Sequence, residues 1–407
     1  MMSVEEARAT ILARFTPLGS ELVSLLAASG RVLAQEVVAR EDLPPFANSA
    51  MDGYAVRAGA TDGAAADRRV RLRLSGEVPA GSVYLGTLDA GAAIRILTGA
   101  PMPAGADAVI QQELTRSADD WVEVEAEVTP GTNVREAGSD VQQGTVVLRS
   151  GIEIGPAEIA LLAALGIDPV SVARRPRVAL LATGDELVPA SDPLLPGQIH
   201  DSNAPHLNAA VALAGAEPWP LGIARDRADD LRAHLRAAAG ADLILTTGGV
   251  SVGTYDLVKD ILAEQGNVEF WRVRMRPGKP LAFGMLGNTP LLGLPGNPVS
   301  TAVTFELFGR PAIRRMLGCS ELLRPEVEVE LAGEPLERAD RRHFVRARLA
   351  SRAGQLVATP TGPQGSHIIT SLVGASALIV VTEGSGVVRP GDHVPALLLD
   401  QAHWEAS

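Results

Sequence analysis

The residues best suited to chemistry sit on two glycine-rich turns and the stretch between them. TTGGVSVGTYD at 246–256 and LPGNPVS at 294–300 flank RPGKP, which carries Lys279. Of 36 basic residues only Lys259 and Lys279 are lysines, and both lie between the turns. An ammonium is a compact point charge and a guanidinium a planar fork, so keeping lysine here suggests that an ammonium is wanted. Chance survival in an arginine-rich chain accounts for Lys259 equally well, whereas two prolines and a glycine fix the backbone around Lys279. Gly248, Gly249 and Gly253 allow close backbone approach to a ligand, and a helix predicted from near Tyr255 would favour an anion. One helix end contributes only about 0.3–2 kcal/mol, so cationic or metal help is required. A tight turn with no ligand is the plain alternative. In the second turn Asn297 suits an N-cap, Pro298 the first helical position, and Ser300 is available as a donor. Together the turns and Lys279 suit phosphate or a similar oxyanion.

Carboxylates recur around the same turns: Asp185 and Glu186 in ATGDEL, Asp226 in IARDRA and Asp256 in GTYD. Mg²⁺ takes one or two carboxylates with water and substrate oxygens, so this set suits metal-assisted phosphate chemistry. Asp226 could equally cap the helix ADDLRAHLRAA. Upstream, PPFANSAMDGYAV holds Asp52, RILTGAPMPAGAD holds Thr98, and NVREAGSD holds Arg135 and Asp140; each alone is ordinary turn chemistry. His200, His206, His343 and His393 lack paired ligand spacing, so no zinc site is assigned. Without a nucleophile elbow, Cys–His pair or kinase motif, covalent nucleophilic catalysis is disfavoured.

These residues need a scaffold of several parts, and 407 residues predict two to four domains. A net charge of −12 argues against a nucleic-acid surface. One cysteine excludes an intrachain disulfide framework and fits a reducing compartment. Ser3 and Glu6 have capping-box spacing, the N-terminus lacks signal-peptide character, and no apolar run is long enough for a membrane span. A soluble, cytoplasmic protein is expected. Helical patterning runs from Ser3 to about Gln35 and again over Pro156 to Leu165, which predicts that the two regions pack together. Between them, from roughly 45 to 140, short β-rich segments separated by Gly, Pro and Asp predict an inserted β unit. After ARRPR, strand, loop and helix alternate, predicting a mainly parallel sheet with ligand loops at the strands' carboxyl ends. From about Leu322 short strands predict a small β-rich domain.

Taken together, these segments resemble the molybdopterin molybdotransferase family (MoeA and the gephyrin E domain). The ordered motifs are PPFANSAMDGYAV, RILTGAPMPAGADAVI, NVREAGSD, LLATGDEL, GQIHDSN, TTGGVSVGTYDLVKDIL, RPGKPLAFG, GLPGNPVS and GSHIITSL with ALIVV. The resemblance implies a multidomain α/β plus β fold in four parts. These are a discontinuous helical domain (1–44 and 141–174), an inserted β domain (45–140), a three-layer α/β molybdopterin-binding domain (175–320) and a C-terminal β-barrel (321–407). It further implies a homodimer whose cleft uses both subunits, with adenylylated molybdopterin and molybdate as substrates, Mg²⁺ as cofactor and AMP as product. By the same resemblance Asp52, Thr98 and Asp140 would face Glu186, Asp226 and Asp256 of the partner subunit. Those last three acids would hold the metal, and Lys279 the oxyanion. Gly248, Gly249, Ser251, Gly253, Lys259, Pro295, Gly296, Asn297, Pro298 and Ser300 would bind substrate. A molybdopterin adenylyltransferase and molybdoenzyme acceptors are the implied protein partners. Arg227, Ser139, Glu136, His200 and Thr254 depart from the family's usual residues, which bears on affinity and metal detail. The alternatives are a non-catalytic scaffold of the same fold and the related adenylyltransferase activity.

Overall fold

The computed structural model describes residues 1–249, 266–399 and the pair 405–406. At its centre a six-stranded sheet runs in the order Glu217–Ala224, Arg177–Thr183, Leu243–Thr247, Thr289–Leu294, Pro280–Leu286, Gly266–Arg272. The first four strands are parallel and the last two antiparallel to their neighbours. In VALLAT and LILTT every position before the terminal threonines is apolar because both faces of the sheet are covered. Side chains alternate between the faces: Val178, Leu180, Leu243 and Leu245 enter one core, Ala179, Leu181 and Ile244 the other. The helix Asn203–Leu213 covers the first face with Leu207 and Val211, and Ala228–Ala237 covers the second with Leu231 and Leu235. At about 1.5–3 kcal/mol for each large apolar side chain buried, this packing outweighs any helix-end effect.

The N-terminal expectation needs correction. The capping box forms, with the Glu6 N–H donating to Ser3 Oγ at 3.1 Å and the Ser3 N–H to Glu6 Oε2 at 2.7 Å. The α-helix, however, is only Val4–Leu12. Pro17 and Gly19 interrupt the pattern, and Ser20–Val23 becomes a strand paired antiparallel with Val170–Ala173. The two regions do pack together, but through the later part of the first, Leu25 to Leu33, and not through its α-helix. Val4, Ala7 and Ile11 enter the α/β core against the helix Arg310–Met316, whereas Leu162 of the helix Pro156–Ala164 packs with Leu33, Val37, Leu148 and Val172.

A second six-stranded sheet has the order Ala108–Gln111, Gly53–Val56, Ala92–Ile96, Val70–Val78, Trp121–Val124, Thr115–Ala118. In the C-terminal region Arg342–Arg352 pairs with Gln355–Pro360, which pairs with Glu326–Leu331, then His393–Leu398, then Ala377–Val381, which returns to Arg342–Arg352. This ring is a closed β-barrel around Val329, Val345, Leu349 and Ile379. Closure leaves these strands without free edges. The barrel meets the α/β unit where Met275 and Arg276 pair with Arg342 and His343, immediately before the Lys279 turn.

Candidate functional site

The parallel strands end at a cavity of about 610 Å³, in the position where open α/β sheets bind ligands. Thr183, Glu186, Thr247, Gly248 and Gly249 form one wall, and Pro295, Gly296, Asn297, Pro298 and Ser300 another. The backbone explains the first glycine. Gly248 has φ +88°, and a Cβ there would stand 2.7 Å from the Thr183 carbonyl oxygen. Thr183 Oγ1 donates to the Thr247 carbonyl at 3.1 Å, while the buried Thr247 hydroxyl has no partner among the described residues. A buried polar group left unpaired costs about 1–3 kcal/mol.

Long-range hydrogen bonds hold the second wall. Asn203 Nδ2 donates to the Gly296 carbonyl at 2.7 Å, and Asp201 accepts the N–H groups of Asn203 and Ala204 at 2.9 and 3.1 Å. Asn297 occupies the N-cap position of the helix Pro298–Thr304, with Pro298 first in the helix, but makes no side-chain capping bond. Its Nδ2 donates instead to Ser366 Oγ at 3.1 Å, and the Val299 N–H donates to the Ser366 carbonyl at 3.1 Å. The barrel thus supplies part of the site, and His367 lines the cavity beside this junction.

The barrel loop is anchored by Arg346, which is fully buried. It donates to Ser371 Oγ at 3.1 Å and to the Gly365 carbonyl at 3.3 Å. Burial lowers its pKa to about 10, so the guanidinium stays charged at neutral pH. Burial, and then the nearby Arg276 and Arg346, push His343 down to about 3, which keeps that imidazole neutral.

Sequence-family comparison matches residues 2–166 to the MoeA N-terminal region (domain I and II), 179–315 to the probable molybdopterin binding domain, and 331–399 to the MoeA C-terminal region (domain IV). Molybdopterin molybdenumtransferase 2 of Mycobacterium tuberculosis is 40% identical over 398 residues, covering 96% of this chain and 98% of its own. Molybdopterin molybdenumtransferase of Haemophilus influenzae is 36% identical over 399 residues, covering 97% and 98%. The chain belongs to the MoeA family. The solved structure of the molybdopterin biosynthesis MoeA protein from Pyrococcus horikoshii superposes with a TM-score of 0.85, at 32% identity, over 98% of this chain and all of that one.

The expected MoeA site residues fall into separate groups in this chain. Glu186, Gly248, Gly249, Pro295, Gly296, Asn297, Pro298 and Ser300 share the cavity. Lys279 is half-buried and adjoins Pro280, which also lines it. Asp226 is exposed and is not the cap: the helix Ala228–Ala237 has Arg227 at its N-cap position with no side-chain capping bond, and the Asp226 N–H donates to Asp185 Oδ1 at 3.1 Å. Asp52 and Thr98 lie together on the inserted sheet, where Asp52 Oδ1 accepts both the Thr98 N–H and its hydroxyl at 2.7 Å. Those two bonds hold the Asp52 carboxyl below the usual carboxylate range. Asp140 is exposed, with its N–H donating to the Leu43 carbonyl at 3.0 Å. None of these three lines the cavity. Ser251, Gly253, Asp256 and Lys259, with the helix expected near Tyr255, lie outside the described residues.

Thr183, Asp201, Asn203, Thr247 and His367 line the cavity without having been singled out as site residues. All five stand in quoted motifs, ATGDEL, HDSN, TTGGVSVGTYD and GSHIITSL, and for Thr183 and Thr247 the signal is a short polar residue at the end of an apolar strand. Among the described residues no group of three or more His, Cys, Asp or Glu comes together as a metal cage. Glu186 and Asp226 offer hard oxygen donors on adjoining loops, which fits Mg²⁺, an ion held by one or two carboxylates together with substrate oxygens.

Proposed function

We propose that this protein is a molybdopterin molybdotransferase that inserts molybdate into adenylylated molybdopterin with Mg²⁺-dependent release of AMP. The observation that carries the reading is the cavity at the strand ends. Two glycine turns line it, and the exposed Glu186 carboxylate stands on the same wall. The names of the relatives, molybdopterin molybdenumtransferase, agree with it over nearly the whole chain.

In this reading the turns at Gly248 and Gly296 hold phosphate or pterin groups by close backbone approach, and Lys279 balances oxyanion charge. Mg²⁺, held by Glu186 and Asp226 with Asp256, would neutralise charge on the phosphoanhydride. The two acids on the strand-end loops orient water and phosphate oxygens, and the barrel loop with His367 limits solvent access. Asp52, Thr98 and Asp140 complete the site from the other subunit of a cytoplasmic homodimer, consistent with their separation from the cavity of their own chain. The same reading divides the chain at 1–44 with 141–174, 45–140, 175–320 and 321–407. Protein partners would be an adenylyltransferase that makes the substrate and molybdoenzymes that accept the product.

Purified protein incubated with adenylylated molybdopterin, molybdate and Mg²⁺ is expected to release AMP and yield active cofactor, and light scattering is expected to give twice the chain mass. Tight pterin binding without turnover would instead favour a scaffold.

A further inference from the structure

The loop that carries Glu186 is gripped by an arginine from the next strand end. After Arg177–Thr183 the chain turns through Gly184, Asp185, Glu186 and Leu187. Arg225 Nη1 donates to the Asp185 carbonyl and to the Leu187 carbonyl, both at 3.1 Å, so its two bonds bracket Glu186. The Glu186 carbonyl itself accepts the Ile199 N–H at 2.8 Å. Three consecutive carbonyls are therefore tied down. The arginine is anchored in turn, because its own N–H donates to Asp230 Oδ2 at 2.7 Å in the first turn of the helix Ala228–Ala237. The Glu186 carboxylate folds back over Gly184, where a Cβ would stand 2.5 Å from one of its oxygens.

We propose that Arg225 is a positioning residue that sets the Glu186 carboxylate for its work at the phosphoanhydride; this rests on the transferase reading of the cavity. An exposed carboxylate on a loose loop would have to be ordered when substrate binds, and Arg225 meets that entropic cost during folding. The two hydrogens on one guanidinium nitrogen diverge in a plane, which suits carbonyls two residues apart. An ammonium lacks that planar fork. The bond from the Asp226 N–H to Asp185 joins the second acidic loop to the same frame. Arg225 thus couples two loops that bear acids without touching either carboxylate.

The test compares wild type, Arg225→Gln, Arg225→Lys, Glu186→Gln and the Arg225→Gln/Glu186→Gln double variant. AMP release is expected to fall about 10- to 100-fold in kcat for Arg225→Gln, with the KM for adenylylated molybdopterin held within about twofold. In the double variant the arginine change is expected to add nothing to the loss from Glu186→Gln. Mn²⁺ binding in the presence of AMP, followed by electron paramagnetic resonance, is expected to weaken about 10-fold in Arg225→Gln and in Glu186→Gln. Arg225→Lys keeps the charge and covers the case in which Arg225→Gln does not fold; it is expected to show the same pattern in weaker form. Full activity in Arg225→Lys and Arg225→Gln, or losses that multiply in the double variant, would overturn the assignment. If the wild type releases no AMP, the transferase reading fails, and unchanged Mn²⁺ affinity in the arginine variants then overturns the positioning role separately.

Discussion

Thr98 gives Asp52 two hydrogen bonds from one residue, its N–H and its hydroxyl both reaching the same carboxylate oxygen at 2.7 Å. Both bonds favour the charged form, and the Asp52 pKa lies below its ordinary value for that reason. The pair joins two motifs 46 residues apart and keeps an exposed carboxylate ionised and aimed.

Thr98→Val removes the hydroxyl bond and leaves the N–H bond. The Asp52 pKa is expected to rise toward the ordinary carboxylate value, moving the acid limb of the AMP-release profile to higher pH. The sign follows from linkage. A carboxyl with a depressed folded-state pKa stabilises the fold above its unfolded pKa, and that contribution is lost as pH falls through the folded value. Nuclear magnetic resonance titration of the Asp52 carboxyl carbon checks the shift directly, and an unmoved pKa would contradict the role given to Thr98.

Thr247→Val tests the orphan hydroxyl on the cavity wall. Replacing an unpaired buried hydroxyl by a methyl of similar shape removes a penalty of about 1–3 kcal/mol, so thermal stability should hold or rise. Affinity for the pterin nucleotide should stay within about twofold, since the hydroxyl is covered and offers the ligand no bond to lose. Calorimetry on apo and ligand-bound protein separates the two effects. A parallel loss of both would mean that the hydroxyl serves the fold.

Gly248→Ala forces a side chain into the left-handed region at φ +88° and toward the Thr183 carbonyl at 2.7 Å. A destabilisation of about 1 kcal/mol or more is expected from the backbone alone, together with loss of ligand binding as the turn moves. Gly287→Ala provides the control, because φ there is +58° and a Cβ would meet nothing within 4 Å. It should cost stability without changing affinity.

Asn297→Ala cuts the side-chain bond between the turn and the barrel loop, Asn297 Nδ2 to Ser366 Oγ at 3.1 Å. Stability should drop by only about 0.5–1.5 kcal/mol, because the Val299 N–H still reaches the Ser366 carbonyl. The KM for the pterin nucleotide should rise while the melting temperature changes little. An unchanged KM would show that the barrel loop does not shape the bound state.

The parts of this architecture visible in the sequence are those determined locally. Strands such as LILTT and VALLAT declare themselves because burial on both faces demands apolar runs up to their terminal threonines, and Ser3 with Glu6 announces the first helix because a capping box lies within four residues. The stretch after Leu12 misleads because its apolar spacing continues past Pro17 and Gly19, and only the distant strand Val170–Ala173 makes Ser20–Val23 extended. Asp226 likewise looks like a helix cap until the fold brings Asp185 to its N–H. No spacing in the chain could join Asn297 to Ser366 or close Arg342–Arg352 onto Ala377–Val381, since both contacts depend on how the barrel is placed. The glycine turns and Glu186 were legible as residue types. Their supports, Asn203, Arg225 and Arg346, act through backbone carbonyls, a role that no residue type announces.

The central claim is tested most directly by AMP release from adenylylated molybdopterin in single-turnover mixtures with and without molybdate and Mg²⁺. The account predicts release that requires both, falling at least about 100-fold in Asp52→Ala with the melting temperature preserved. Release by Asp52→Ala at the wild-type rate, or pterin-nucleotide binding with no AMP formed by the wild type, would contradict it.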